Sequence, residues 1–218
     1  MTAHPFWVMV RKEIADYLHS WRFIILMGIM MLTCLGSLYT ALTGITESAA
    51  PNDARIDFLF LRLFTISNGT VPSFLSFITF LGPLLGIGLG FDAINSERNK
   101  GTLSRLLAQP VSRDYVINAK FVAALLVIGT AFFALGFLVM GLGIIVTGIP
   151  VTFEEFLRII FYLLMSLVYV AFWLNLAILF SVLFRQPATA ALAGIAVWLF
   201  FSIFYNMIIQ LLAGALTP

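Results

Sequence analysis

Between Asp92 and Lys120 the chain reads DAINSERNKGTLSRLLAQPVSRDYVINAK, a charged island between two uncharged apolar runs. Its carboxylates and cations suit ion pairs and a grip by a soluble partner. Elsewhere the residues that could do chemistry are few. An intramembrane transferase or protease needs His, Asp, Glu or Ser/Lys pairs at membrane depth, and the apolar runs carry no charge to supply them. His4 and His19 have no carboxylate or Cys partner at ligand spacing, so they read as surface or interfacial groups rather than metal ligands. Cys34 is the only cysteine, which excludes an intramolecular disulfide and a multi-Cys zinc site, and it reads as a filler within an apolar run. No G-x-x-x-x-G-K-[ST] run occurs, so the chain has no P-loop of its own, and GIGLGF is no nucleotide fingerprint because no strand precedes it.

The elements that must position the island are membrane helices. The composition is 61% hydrophobic and only 10% charged, more apolar than a soluble domain carries. Five stretches reach the roughly 20 residues that a helix needs to cross the hydrocarbon core. They run at about 23–42, 71–91, 121–146, 159–184 and 188–215. No strand-like alternation runs through them, so the expected fold is an all-α, polytopic helical bundle in a single domain spanning 1–218. Arg11, Lys12, Arg22, Arg98, Lys100, Arg105, Arg113, Lys120 and Arg185 fall on the N-terminal side, against Arg55, Arg62 and Arg158 on the other. That bias places the N-terminus in the cytosol. The net charge of +2 then reflects orientation, and nothing supports nucleic-acid binding.

Ahead of the first span, Phe6, Met9, Val10, Ile14, Tyr17, Leu18 and Trp21 recur at helical steps, with Arg11, Lys12, Asp16 and His19 opposite. This predicts an amphipathic helix over 1–22 lying in the headgroup layer. After the first span, the run ARIDFLFLRLFTIS is too short and too charged to cross, and predicts an interfacial or re-entrant helix. In the second span Gly82, Gly86 and Gly90 share one face, with Pro83 beside them. Such a face admits close helix approach, either within one subunit or at a moving or dimeric seam. Thr152 and Glu155 have capping-box spacing, so Glu154 and Glu155 read as helix-start acids. Asn175, Asn206 and Gln210 are the notable polar groups inside the spans, read as buried amides bonding between helices, with a substrate path as the alternative.

Within the island, spanning 92–120, the second helix is expected to run through Asp92, Glu97 and Arg98 until Gly101 stops it. Thr102 would cap a short helix with Leu103, Leu106 and Leu107 as its apolar stripe. Pro110 would end that helix, and Ser112 would cap the third span. Asp92, Glu97-Arg98, Gly101-Thr102-Leu103, Leu106-Leu107, Pro110, Arg113 and Lys120 together resemble the inner-loop signature of type-2 ABC exporter permeases. The resemblance covers essentially the whole chain. It implies that the loop is a coupling helix docking into a separate ATP-binding subunit, with the amphipathic helix as an elbow. It also implies six spans, so that the chain would continue beyond Pro218, and a dimer of permeases, homo- or heteromeric, carrying two ATPases. No cofactor is expected on this chain, with ATP held by the partner. The function implied is the non-enzymatic permease subunit of an ATP-driven exporter in the cytoplasmic membrane. The alternative is a non-transporting membrane anchor for a sensor or motility complex.

Overall fold

A computed structural model describes residues 4–48, 60–65, 72–102, 113–148 and 150–216. Helix α1, Pro5–Leu18, starts where His4 Nδ1 accepts the Phe6 N–H at 3.3 Å, and Pro5 occupies a first-turn position that needs no donor. Next come α2 (Trp21–Ser48), the short α3 (Arg62–Thr65), α4 (Phe74–Gly90) and α5 (Asn95–Asn99). They are followed by α6 (Arg113–Thr147), α7 (Phe153–Leu183) and α8 (Pro187–Leu199). A π-helical turn at Phe200–Phe204 then leads into α9, Tyr205–Leu216.

Five of these stretches are long and apolar enough to cross a membrane: α2, α4 with α5, α6, α7, and α8 through α9. Helices close every backbone hydrogen bond internally, the condition that hydrocarbon imposes. Hydroxyls in the spans obey the same rule. Thr33 donates to Ile29 O, Thr79 to Leu75 O and Thr130 to Leu126 O, all at 2.8–2.9 Å.

The centre of the bundle is the pairing of α4 with α7, with α2 and α6 packed around it. Leu85, Ile128, Phe132, Leu163 and Leu174 are fully buried there. Glycines at steps of four set the α4–α7 distance. A Cβ on Gly86 would lie 2.9 Å from Val170 O and 3.0 Å from Leu174 N, both backbone atoms that cannot give way. At Gly90 it would meet Ala177 Cβ at 2.8 Å, and at Gly82 Val170 Cγ2 at 2.7 Å. The glycine face is therefore occupied within the chain, by α7.

Pro83 lies in the same helix and has no N–H to offer the carbonyl of Thr79. The Tyr169 hydroxyl of α7 donates to that carbonyl at 3.5 Å, and one turn earlier Tyr162 donates to Leu75 O at 3.3 Å. The bond that proline removes from one helix is thus replaced by its neighbour.

On the far side from the N-terminus, Thr152 and Glu155 form the capping box of α7. Glu155 is also buried and accepts the Phe60 N–H at 3.0 Å, which ties the turn just before α3 to the start of α7. Phe60 and Phe64 are buried there, and Phe64 meets Phe74 edge-on at 5.2 Å.

Several sequence expectations change. The apolar face of α1 does not simply face headgroups. Val10 packs with Ala119 and Ala123 of α6, and Phe6, Met9, Ile14 and Tyr17 surround them, because two alanines let the helices approach. The second helix does not run unbroken to Gly101. It ends at Gly90, turns over residues 91–94 and resumes as α5. Arg113–Lys120, counted within the 92–120 loop, are the first turns of α6, which opens directly after the expected cap position at 112. Asn175 and Gln210 are exposed in this chain, because α7 turns Val170, Trp173, Leu174 and Ala177 towards α4, and α9 packs little against the bundle. The side chain of Asn206 lies outside the described residues.

Gly86→Ala is expected to lower stability by about 1–3 kcal/mol, because even one methyl overpacks a backbone contact. Gly36→Ala, where a Cβ meets nothing within 4 Å, is expected to be neutral or slightly stabilising. Thermal unfolding of the two variants in detergent checks this pair, and equal midpoints would refute the seam.

Candidate functional site at the base of the charged loop

Lys120 lies on the second turn of α6, beside the alanines that admit α1, and is 5% exposed. Little of its side chain reaches water, so its ammonium needs fixed partners. Glu13 Oε2 of α1 stands 2.8 Å away and Glu97 Oε1 of α5 at 3.5 Å. Lys12 reaches the same carboxylates, 3.2 Å from Glu13 and 4.0 Å from Glu97, and also pairs with Asp16 at 3.2 Å. Burial works against the Lys12 charge, yet Glu13 and Asp16 outweigh it and raise its pKa. The Tyr17 phenol beside them is pushed up, first by burial and then by Glu13, Asp92 and Asp16, so it stays protonated.

A second ion pair stands one turn away. Arg22, at the start of α2, donates to Asp92 at 2.5 Å and stacks over the Phe91 ring with its guanidinium carbon 4.8 Å from the centroid. From the other flank, Ser181 in the last turn of α7 accepts both the Ile94 N–H (3.0 Å) and the Asn95 N–H (3.2 Å). That hydroxyl supplies the acceptor for the donors that open α5, a cap lent by another helix. The break at 91–94 follows from this substitution. The base of the loop is thereby tied to α1, α2, α6 and α7 around a polar depression of about 560 Å³.

The predicted site residues divide clearly. Asp92, Glu97 and Thr102 join the cluster, with the Thr102 hydroxyl donating to the Glu97 carboxylate and to its backbone carbonyl at 3.2 Å. Thr102 therefore points back to Glu97. Gly101 has φ +69°, a left-handed conformation that favours glycine, and it ends α5. Arg98 is exposed and makes no ion pair among the described residues. Leu103, Leu106, Leu107 and Pro110, together with Ser112, lie outside the described residues, and Arg113 opens α6. Gly82, Gly86 and Gly90 belong to the α4–α7 seam and not to this cluster.

Sequence reasoning missed three groups. Glu13 had a signal: it falls three after Val10 and four before Tyr17, inside the apolar stripe of α1, where an acid is out of place unless paired. Asn95, fully buried with no hydrogen-bond partner for its side-chain amide among the described residues, and Ser181 had no such signal. Both depend on which turn of α7 meets α5.

An elbow helix, a charged loop base clamped to it and a membrane bundle now stand in one geometry. Residues 7–218 match the family described as ABC-2 family transporter protein. The chain belongs to that family. It is similar to the "Probable ABC transporter permease protein NosY" of Pseudomonas aeruginosa, with 30% identity over 219 residues that cover 97% of this chain and 74% of that protein. The protein of the same name from Stutzerimonas stutzeri is 28% identical over 208 residues, covering 93% of this chain and 68% of the relative. Membership makes the chain a multi-pass membrane permease of an ABC transporter and implies an ATP-binding partner subunit. Among the described residues no group of His, Cys, Asp and Glu could hold a metal ion.

Replacing Lys120 by Met in this permease leaves Glu13 and Glu97 with the more exposed Lys12 as their one remaining cation among the described residues, at an expected cost of about 1–3 kcal/mol. Adding Glu13→Gln should recover part of the loss, since one of the two under-compensated carboxylates is then removed. A double-mutant cycle on thermal unfolding reads the coupling, and strictly additive losses would show that the two residues do not interact.

Proposed function

We propose that this permease moves its substrate outward across the cytoplasmic membrane, driven by a separate ATP-binding subunit that grips the 92–120 loop from the cytosol. The N-terminus is then cytosolic, as the Lys and Arg bias suggests. The observation that carries the reading is the clamp at the base of the loop. Glu97 and Asp92 are held by charges on α1, α2 and α6, and Ser181 holds the start of α5 from α7. A force applied at Leu103, Leu106 and Leu107 would enter four helices together, which a loosely hung surface loop would not permit.

The glycine seam favours a rigid response, in which α4 and α7 tilt as a pair. A cleft of about 690 Å³ lies at membrane depth between them and the last span, lined by Leu75, Ser76, Thr79, Phe80, Tyr169, Phe172, Trp173, Phe201 and Ser202. Its aromatic walls and few hydroxyls suit an apolar or amphipathic cargo. The last span supports a dimer of permeases. Phe200, Phe201, Phe204 and Tyr205 are each about half exposed, and Gln210 sits uncovered on the same helix.

Leu103 and Leu106 would each contribute about 1.5–3 kcal/mol if fully buried in a groove of the ATPase. Replacing both by Asp is therefore expected to strip that subunit from the purified complex and to abolish transport, while the spans stay inserted. Full co-purification of the ATPase with normal ATP-driven transport in vesicles would defeat the coupling assignment. Retained binding with transport absent from wild-type and variant alike would favour a membrane anchor instead.

A further inference from the structure

On the N-terminal side of the bundle, an apolar groove of about 280 Å³ opens between α1, α2 and α6. Phe23 and Met27 form one wall, Leu126 and Thr130 the other, and Ile14 and Leu18 close the end nearest α1. The floor is tight, with Val127 5% and Ala131 7% exposed, while Leu18 and Leu126 at the rim are 48% and 46% exposed. The Thr130 hydroxyl already donates to Leu126 O and the other lining side chains are apolar, so the groove has no free side-chain donor to offer a ligand.

A cation stands on the same helical face. Trp7, Arg11, Ile14 and Leu18 follow at steps of four, three and four, which align on one side of α1, so Arg11 borders the apolar stripe instead of standing opposite it as the sequence pattern implies. Arg11 is exposed and makes no ion pair among the described residues, whereas Lys12, Arg22 and Lys120 each face a carboxylate. Trp7 and Trp21, exposed by 54% and 77%, flank this face as indoles do at a headgroup boundary. A free guanidinium one turn from an apolar slot matches an amphipath with an anionic head and a hydrocarbon tail.

We propose that this groove is a binding site for one anionic phospholipid of the leaflet on the N-terminal side, its acyl chain along Val127 and Ala131 and its phosphate on Arg11. The groove shares no lining residue with the polar depression or the aromatic cleft, so it stands whether or not the coupling assignment does. Bound there, the lipid would bridge α1 to α2 and α6 and steady the elbow against the bundle.

Native mass spectrometry of the intact permease complex, titrated with phosphatidylglycerol or phosphatidylcholine of matched chains, tests it. The wild type is expected to retain one phosphatidylglycerol with about fivefold preference over phosphatidylcholine, the scale of one basic residue's attraction to anionic lipid. Arg11→Gln should erase the preference and keep equal, weaker retention of both. Thr130→Phe or Ala134→Leu, at exposed positions where bulk fills the groove without touching its floor, should reduce retention of both lipids. Inorganic phosphate should not displace the lipid. Equal retention of the two lipids by the wild type, unchanged retention in both groove-filling variants, or displacement by inorganic phosphate would each overturn the proposal.

Discussion

Lys120 is a charge that the fold has taken out of water, and the packing around it follows from the need to answer that charge. An uncompensated buried ammonium is too costly to keep, so Glu13 and Glu97 must be brought within contact distance, and with them the helices that carry them. Ala119 and Ala123 make this possible by letting α1 lie close enough for a glutamate to reach. The result is a junction where the elbow, the loop base and the third span cannot separate without stranding a charge. Replacing a buried ion cluster whole by apolar groups of equal volume is often neutral or stabilising, so what this one chiefly constrains is which surfaces meet.

Below that junction the membrane provides no hydrophobic force between helices, so close contact and shared hydrogen bonds must do the work. Gly86 and Gly90 press the backbone of α4 against α7, and the two tyrosine hydroxyls of α7 serve carbonyls on α4 around Pro83. Each device compensates a weakness of the other. Glycines remove side-chain contacts but shorten the distance, and the shortened distance lets Tyr169 reach the carbonyl that proline leaves unpaired. The pair has little freedom to slide, since a shift along the axis would set Val170 and Leu174 against the next turn of α4.

The last span stands apart from this construction. Gly194 lets Ile87 of α4 approach α8, and Trp198 packs with Ile87, Trp173 and Ala177. From the π-helical turn at Phe200–Phe204 onward, the aromatic residues and the described side chains of α9 are largely exposed. A π turn widens the helix and leaves its bonds poorly shaped, which suits a point where a span leaves its bundle.

Much of the architecture was legible from local chemistry. Span lengths, the N-terminal helix itself, the Thr152/Glu155 cap and the stop at Gly101 depend on residues close in sequence, where periodicity and backbone preference decide the outcome. The loop residues Asp92 and Glu97 were legible as a charged group, but their partners were not. Arg22 is seventy positions from Asp92, and Lys120 reaches back over a hundred to Glu13. Only the folded bundle decided that Glu13 is buried, that Ser181 caps α5, that the glycine face is filled by α7, and that Asn175 is left exposed. The reason is geometric: a sequence pattern says which side of a helix is apolar or small, whereas the neighbour it meets depends on how all the helices share the space.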